Sequence, residues 1–182
     1  MKKLPNLGIM GEMGSGKGFA SKYLSRKYGY RIITMGNFAR ALARKEHMKP
    51  SRENLEKLQK KYSKKGDFIM EKVLEEARES KKPVILDGIR KPSQAKMAMK
   101  ELSAVLVDIE ADPEIRFERM KKRGRKSGFP RTFEAFKKIE AREEKVFHIR
   151  KALGMAKYRI NNGTDTRKFY KDLSSLMKKV RK

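Results

Sequence analysis

A short apolar run, Leu7, Ile9 and Met10, breaks at Gly11, and the eight residues from there read Gly11-Glu12-Met13-Gly14-Ser15-Gly16-Lys17-Gly18. Beyond them Phe19, Ala20, Tyr23 and Leu24 recur at helical spacing. A strand that stops abruptly, a loop whose glycines accept positive φ, and a helix opening at Lys17 satisfy these signals together. Such a loop turns successive backbone N–H groups toward one point, where the positive end of the helix dipole adds to them. That point suits a polyphosphate. The segment matches G-x-x-x-x-G-K-[ST] at every position but the last, where Gly18 replaces the hydroxyl residue that ligates magnesium. A plain glycine-rich β-turn with a solvated lysine is the competing reading, and it leaves the flanking strand and helix unexplained.

The chain has 182 residues, a length that fits one domain, 1–182, with a real core. Charged residues make up 38% and hydrophobic residues 38%, but the apolar positions are periodic, so the composition describes a small core under a charged surface and not disorder. No apolar run is long enough to cross a membrane, and Met1-Lys2-Lys3 is followed by Gly8, Gly11 and Glu12 instead of a leader's apolar stretch. With no cysteine, disulfides and thiolate metal sites are excluded, and a cytoplasmic location is expected. The formal charge of +26 attracts polyanions, nucleotides and nucleic acids alike. The lysines are spread along the chain with few aromatics between them, so nucleic-acid binding is expected to be incidental.

Further strands are expected at Tyr30–Thr34, Pro83–Leu86, Ala104–Ile109 and Tyr158–Asn161, separated by helical patterns. This alternation argues for α/β architecture with a parallel sheet covered on both faces. Between the second and third strands Leu55, Leu58, Tyr62, Ile69, Val73 and Ala77 keep one apolar stripe, with Ser51 as N-cap and a break at Gly66-Asp67. That insert, about 35–80, is large for a crossover and is expected to wall a second binding site. Asp112-Pro113 opens a helix running through Arg123, and a final helix starting near Asp165 buries Phe169, Leu173, Leu176, Met177 and Val180.

In Val84-Ile85-Leu86-Asp87-Gly88 an apolar strand delivers a carboxylate to its carboxyl end, where ligands bind in open α/β sheets. Asp87 there could hold magnesium directly or through water. A turn aspartate before glycine is the plainer alternative.

Several segments carry a resemblance. Leu86-Asp87-Gly88-Ile89-Arg90-Lys91-Pro92-Ser93-Gln94-Ala95 resembles the adenylate kinase stretch that runs Asp-Gly, Arg, then Gln-Ala, and Met35-Gly36-Asn37-Phe38-Ala39-Arg40 is similar to that family's Gly-Asp-x-x-Arg. The Gly-Lys-Gly ending of the loop is also the adenylate kinase form. Arg116-Phe117-Glu118-Arg119, Arg123-Gly124-Arg125 and Ala156-Lys157-Tyr158-Arg159-Ile160-Asn161-Asn162-Gly163 extend the likeness to the archaeal-type adenylate kinase-related, dephospho-CoA-kinase-like group, from Leu7 to about Val180. The resemblance implies a doubly wound parallel five-stranded sheet in the order 2-3-1-4-5, a P-loop domain of the nucleoside monophosphate kinase type. It implies ATP- and magnesium-dependent phosphoryl transfer to a nucleoside monophosphate, AMP or dAMP first.

Carried onto this sequence, Gly11 and the backbone of Met13, Gly14, Ser15, Gly16, Lys17 and Gly18 would hold the donor, with Asp87 on the metal. Gly36, Arg40 and Arg90 would grip the acceptor's phosphate, and Gln94 would meet its base. Arginine's planar fork suits a phosphate monoester. Arg116, Arg119 and Arg123 stand at helical spacings that place them on one face, leading into a lid at about 123–132 with hinge-like Lys126-Ser127-Gly128-Phe129-Pro130. Arg119 and Arg123 are the candidates for neutralising the transferring group. His47 and His148 lack ligand spacing and suit surface or packing roles. Two rival readings remain open: dephospho-CoA kinase or another small-molecule kinase, and a nucleotide-regulated RNA-binding protein in which the charge is the working surface.

Overall fold

The computed structural model describes residues 3–62, 66–122 and 130–181. Its strands are β1 (Leu7–Met10), β2 (Arg31–Thr34), β3 (Val84–Asp87), β4 (Val105–Glu110) and β5 (Tyr158–Asn161). They form one sheet in the order β2-β3-β1-β4-β5, and every neighbouring pair is parallel. The expected doubly wound α/β topology is the observed one, with strand limits within a residue of those read from the sequence. Parallel strands covered on both faces read as unbroken apolar runs. Accordingly β1 and β3 are buried at every position.

One face of the sheet is covered by α1 (Lys17–Tyr28) and α9 (Thr166–Val180). Ala20, Leu24, Phe169, Leu173, Leu176 and Met177 pack there on Leu7, Ile9, Ile85, Val107 and Ile109. The period-two alternation of the strands sends Met10, Ile33, Leu86 and Leu106 to the other face. That face is covered by α4 (Phe68–Arg78), α5 (Pro92–Leu102) and the short α8 (Ile149–Leu153). A Cβ at Gly8 would lie 2.5 Å from Leu106 Cδ2 and 2.9 Å from Ile89 Cδ1, so these buried side chains pack directly on the β1 backbone. Asp165 caps α9 by accepting from the Lys168 amide at 3.0 Å, as its position before the apolar stripe suggests.

The insert consists of α2 (Met35–Lys45), α3 (Arg52–Tyr62) and α4. Ser51 caps α3, its Oγ accepting from the Asn54 amide at 3.3 Å, and Asp67 caps α4 by accepting from the Met70 amide at 3.1 Å. The single apolar stripe expected along the insert is in fact two. Leu58, with Leu55 and Tyr62, packs on Leu42 and Ala43 of α2, whereas Ile69, Val73 and Ala77 join the sheet core. The break at Gly66-Asp67 lets the second helix rotate its apolar face away from the first. Two further helices, α6 (Pro113–Lys122) and α7 (Phe133–Phe147), stand over the carboxyl ends of the strands. Arg123 and most of the expected lid, residues 123–129, lie outside the described residues. No helix among the described residues is long and apolar enough to cross a membrane.

Candidate phosphoryl-transfer site

The loop from Gly11 to Gly18 leaves β1 and enters α1 through Gly16, which sits at φ 97° as the N-cap and supplies no side-chain cap. The first amides of α1 have no intrahelical acceptor, so they face the loop's concavity with the helix dipole behind them. Gly11, Gly14 and Gly16 all have positive φ. Each is also pressed against a different part of the chain. A Cβ at Gly11 would run into the Ile109 carbonyl, one at Gly14 would lie 2.5 Å from the Arg116 carbonyl oxygen, and one at Gly16 would run into Asn162 Nδ2. The buried Asn162 Nδ2 donates to the Ser15 carbonyl at 2.7 Å and holds the loop from the far side.

Lys17 folds over the loop and donates from Nζ to the carbonyl oxygens of Gly11 and Glu12, both at 2.8 Å. Burial and then the like charge of Arg90 push its pKa down, Asp87, Glu143 and Asp108 pull the other way, and the balance lies at about 8. These influences place the loop lysine, the β3 carboxylate and the arginine after β3 in one electrostatic neighbourhood. Asp87 is paired in register with Ile9 and Thr34, so the topology itself sets it beside the loop. A Cβ at Gly18 would stand 3.8 Å from Asp87 Oδ2, in ordinary van der Waals contact, where most such loops carry a hydroxyl. A hard cation placed there would take Asp87 as one oxygen ligand, with water and phosphate supplying the rest. Among the described residues no group of three or more acidic, histidine or cysteine side chains could hold a metal.

Toward α2 and α5 the surroundings change. Arg40 Nη2 donates to Asn37 Oδ1 at 2.6 Å, and its guanidinium lies over Gly36, where a Cβ would be 3.1 Å from Nη1. Arg90 extends over the Phe147 ring and meets the buried Glu143 carboxylate of α7 at 3.3 Å. Gln94 takes a structural part: its Oε1 accepts from the amides of Arg90 and Lys91 at 3.0 and 3.2 Å, and its Nε2 donates to Asp67 at 2.9 Å. It thereby ties the insert to the β3–α5 turn.

The arginines of α6 diverge, although their spacing suggests a common face. Arg119 reaches the turn after β5, donating to the Gly163 carbonyl at 2.5 Å, and its Nη1 is buried with no partner among the described residues. A buried orphan guanidinium nitrogen beside the loop is suited to an arriving anion. Arg116 turns inward and is 3% exposed. It pairs with Glu12 at 2.8 Å and with Glu140, and donates to the Met13 and Ala111 carbonyls at 3.2 and 2.9 Å. Met13 packs below with Phe117, Met120 and Phe136. Behind the loop a cleft of about 400 Å³ is lined by residues including Glu12, Ser15, Asp108, Glu110 and Arg159. Burial and the neighbouring Glu110 push Asp108 up to about 6.

Sequence reasoning did not single out Asn162, Glu140 or Glu143 as site residues. Their partners lie 147, 24 and 53 residues away, so only topology brings them together.

Residues 10–140 match the model of a family described as an AAA domain, AAA_17. The chain belongs to that family. Archaeal relatives include a UPF0200 protein of Pyrococcus abyssi, 29% identical over 181 residues and covering 94% of this chain and 95% of its own. Another, from Staphylothermus marinus, is 27% identical over 176 residues, covering 94% of this chain and 90% of the relative. Among solved structures, a shikimate kinase from Bacteroides thetaiotaomicron superimposes with a TM-score of 0.65 at 18% identity, covering 96% of this chain and 97% of the other. A gluconokinase from Sinorhizobium meliloti 1021 does so with a TM-score of 0.63 at 13% identity, covering 98% and 97%. The fold is that of the P-loop kinases, and at these identities the likeness concerns the fold alone.

Proposed function

We propose that the protein transfers the γ-phosphoryl group of ATP, with magnesium, to a small acceptor bound between α2 and the β3–α5 turn, with AMP or dAMP the first candidates. The observation that supports this reading most is the uncapped, glycine-lined opening of α1, with Lys17, Asp87 and Arg90 close enough to perturb one another. In this reading Lys17 leaves its two loop carbonyls for the donor's outer phosphates, and the α1 amides hold the phosphates between them. Asp87 would hold magnesium, which supplies charge neutralisation to the phosphate oxygens when bound. Arg119 offers its orphan Nη1 to the transferring group, and Arg123 is assigned the same task. Arg40 and Arg90 fix the acceptor, with Gly36 giving Arg40 room to approach. No covalent nucleophile is needed, because positioning and charge stabilisation account for most of such a reaction.

A second reading, a dephospho-CoA or other small-molecule kinase, is favoured by two observations. Gln94 is engaged within the protein where a base reader was expected, and the carboxylate of Glu143 stands at Arg90, where it would repel an incoming phosphate but accept a hydroxyl. ADP release measured with AMP, dAMP, the other nucleoside monophosphates and dephospho-CoA separates the two. Acceptor-dependent ADP with none of them counts against the proposal.

A further inference from the structure

α7 carries two carboxylates three residues apart that face the two halves of the site. Glu140 accepts from Arg116, whose guanidinium also holds Glu12 and the Met13 carbonyl of the phosphate loop. Glu143 accepts from Arg90 at 3.3 Å. Charge-assisted bonds therefore run from the loop through Arg116 to Glu140 and, separately, from Glu143 to Arg90, with one turn of α7 joining the two. The apolar contacts run the same way, since Met13 and Phe136 share one cluster and Arg90 lies over Phe147 at the other end of the helix. The backbone of α6 at Arg116 is pressed against Gly14, so the loop is held both by guanidinium and by main chain at this residue.

We infer that α7 couples the two subsites, with Arg116 and Glu140 as positioning residues for the loop and Glu143 as the counterpart that reports the state of Arg90. The inference rests on the loop being the donor site. An anion arriving at the loop competes with Glu12 for positive charge, which shifts Arg116 and with it Glu140. The helix passes that shift to Glu143 and changes how Arg90 is held. Coupling of this kind is a free energy shared by both sites, so it runs equally from acceptor to donor. A helix held on its inner side by Phe136, Glu143 and Phe147 and anchored by a few discrete ion pairs has alternative arrangements and not a continuum, as coupling requires.

The test needs no knowledge of the acceptor. MgADP binding is measured by calorimetry, and the Arg90 Nε–Hε resonance is followed by NMR, in the wild type and in E140Q, E143Q and R116K. The wild type is expected to shift its Arg90 resonance on MgADP binding. E140Q and R116K should weaken MgADP by roughly 5- to 10-fold and abolish the shift. E143Q should still bind MgADP measurably yet lose the coupling, shown by a resonance that no longer responds to nucleotide. A wild type that fails to bind MgADP overturns the functional reading itself. Wild-type binding with no Arg90 response, or a response that survives in the folded variants, overturns the coupling alone. Thermal melts establish which variants are folded, and E143Q keeps the test open should the buried Arg116 pair prove necessary for folding.

Discussion

The lysine of the phosphate loop gives a quantitative test, because its charge in the free protein is set by the geometry around it. Burial beside Arg90 brings Lys17 to about 8 from 10.5. Bound phosphate oxygens would return it toward or above its ordinary value. Below pH 8 the free protein already carries the proton that the complex requires. Above it, binding must take a proton up, and affinity falls by up to tenfold per pH unit, about 1.4 kcal/mol. Between pH 7 and 9 the charged fraction of free Lys17 drops from about nine-tenths to about one-tenth, so Kd for MgADP should rise about tenfold. Calorimetry in buffers of different ionisation enthalpy should show proton uptake of about 0.1 at pH 7, 0.5 at pH 8 and 0.9 at pH 9. The nucleotide's last phosphate proton titrates near pH 6, below this window, and ordinary lysines titrate above it. Lys17→Arg keeps its charge throughout. A flat wild-type profile over pH 7 to 9, or the same slope in Lys17→Arg, would refute the reasoning.

Gly16→Ala forces a side chain into the left-handed region and into Asn162, so MgADP binding should weaken at least 100-fold and stability fall by about 1 to 3 kcal/mol, read by calorimetry and urea denaturation. Gly18→Ser places a hydroxyl beside Asp87 without a clash, and a magnesium titration of turnover should reach half-maximum at a concentration a few-fold lower. Leu173→Ala removes a fully buried side chain of the α9 face and should cost about 2 to 5 kcal/mol by urea denaturation, with MgADP affinity of the folded protein unchanged. RNA binding, if driven only by scattered lysines, should be lost between about 50 and 200 mM salt in a filter or polarisation assay, and retention beyond that range would favour the RNA-binding reading.

The parts of the molecule that could be read from sequence are those whose cause is local. The loop between β1 and α1, the caps Ser51 and Asp165, and the stripe of α9 each declare themselves within about a dozen residues, because turn chemistry and helical periodicity act over that range. The sheet order followed from alternation and from the resemblance of the glycine loop, Asp87 and the last strand to known kinases. The arginines of α6 could not be sorted the same way. Spacing places Arg116 and Arg119 on roughly one face, but whether a guanidinium points at solvent, a ligand or a carboxylate depends on Glu12, Glu140 and Gly163, which sequence leaves at unknown distance. The same holds for the insert, where the apolar spacing of Leu55 through Ala77 is real but serves two packing surfaces.

The three crowded loop glycines divide the molecule's freedom to change. Beyond the loop's own Ser15 and Lys17, the neighbours that crowd them come from β4, α6 and the turn after β5, all in the second half of the chain. In the proposed function the acceptor side would draw instead on residues 35–94, joined to the rest by β3 and by side chains such as Gln94 and Arg90. On the proposed reading, substitution or repacking within α2 and α3 would reshape what is phosphorylated while leaving the contacts of Gly11, Gly14 and Gly16 in place. A scaffold partitioned in this way would let the acceptor change mainly through α2 and α3, away from the three crowded glycines.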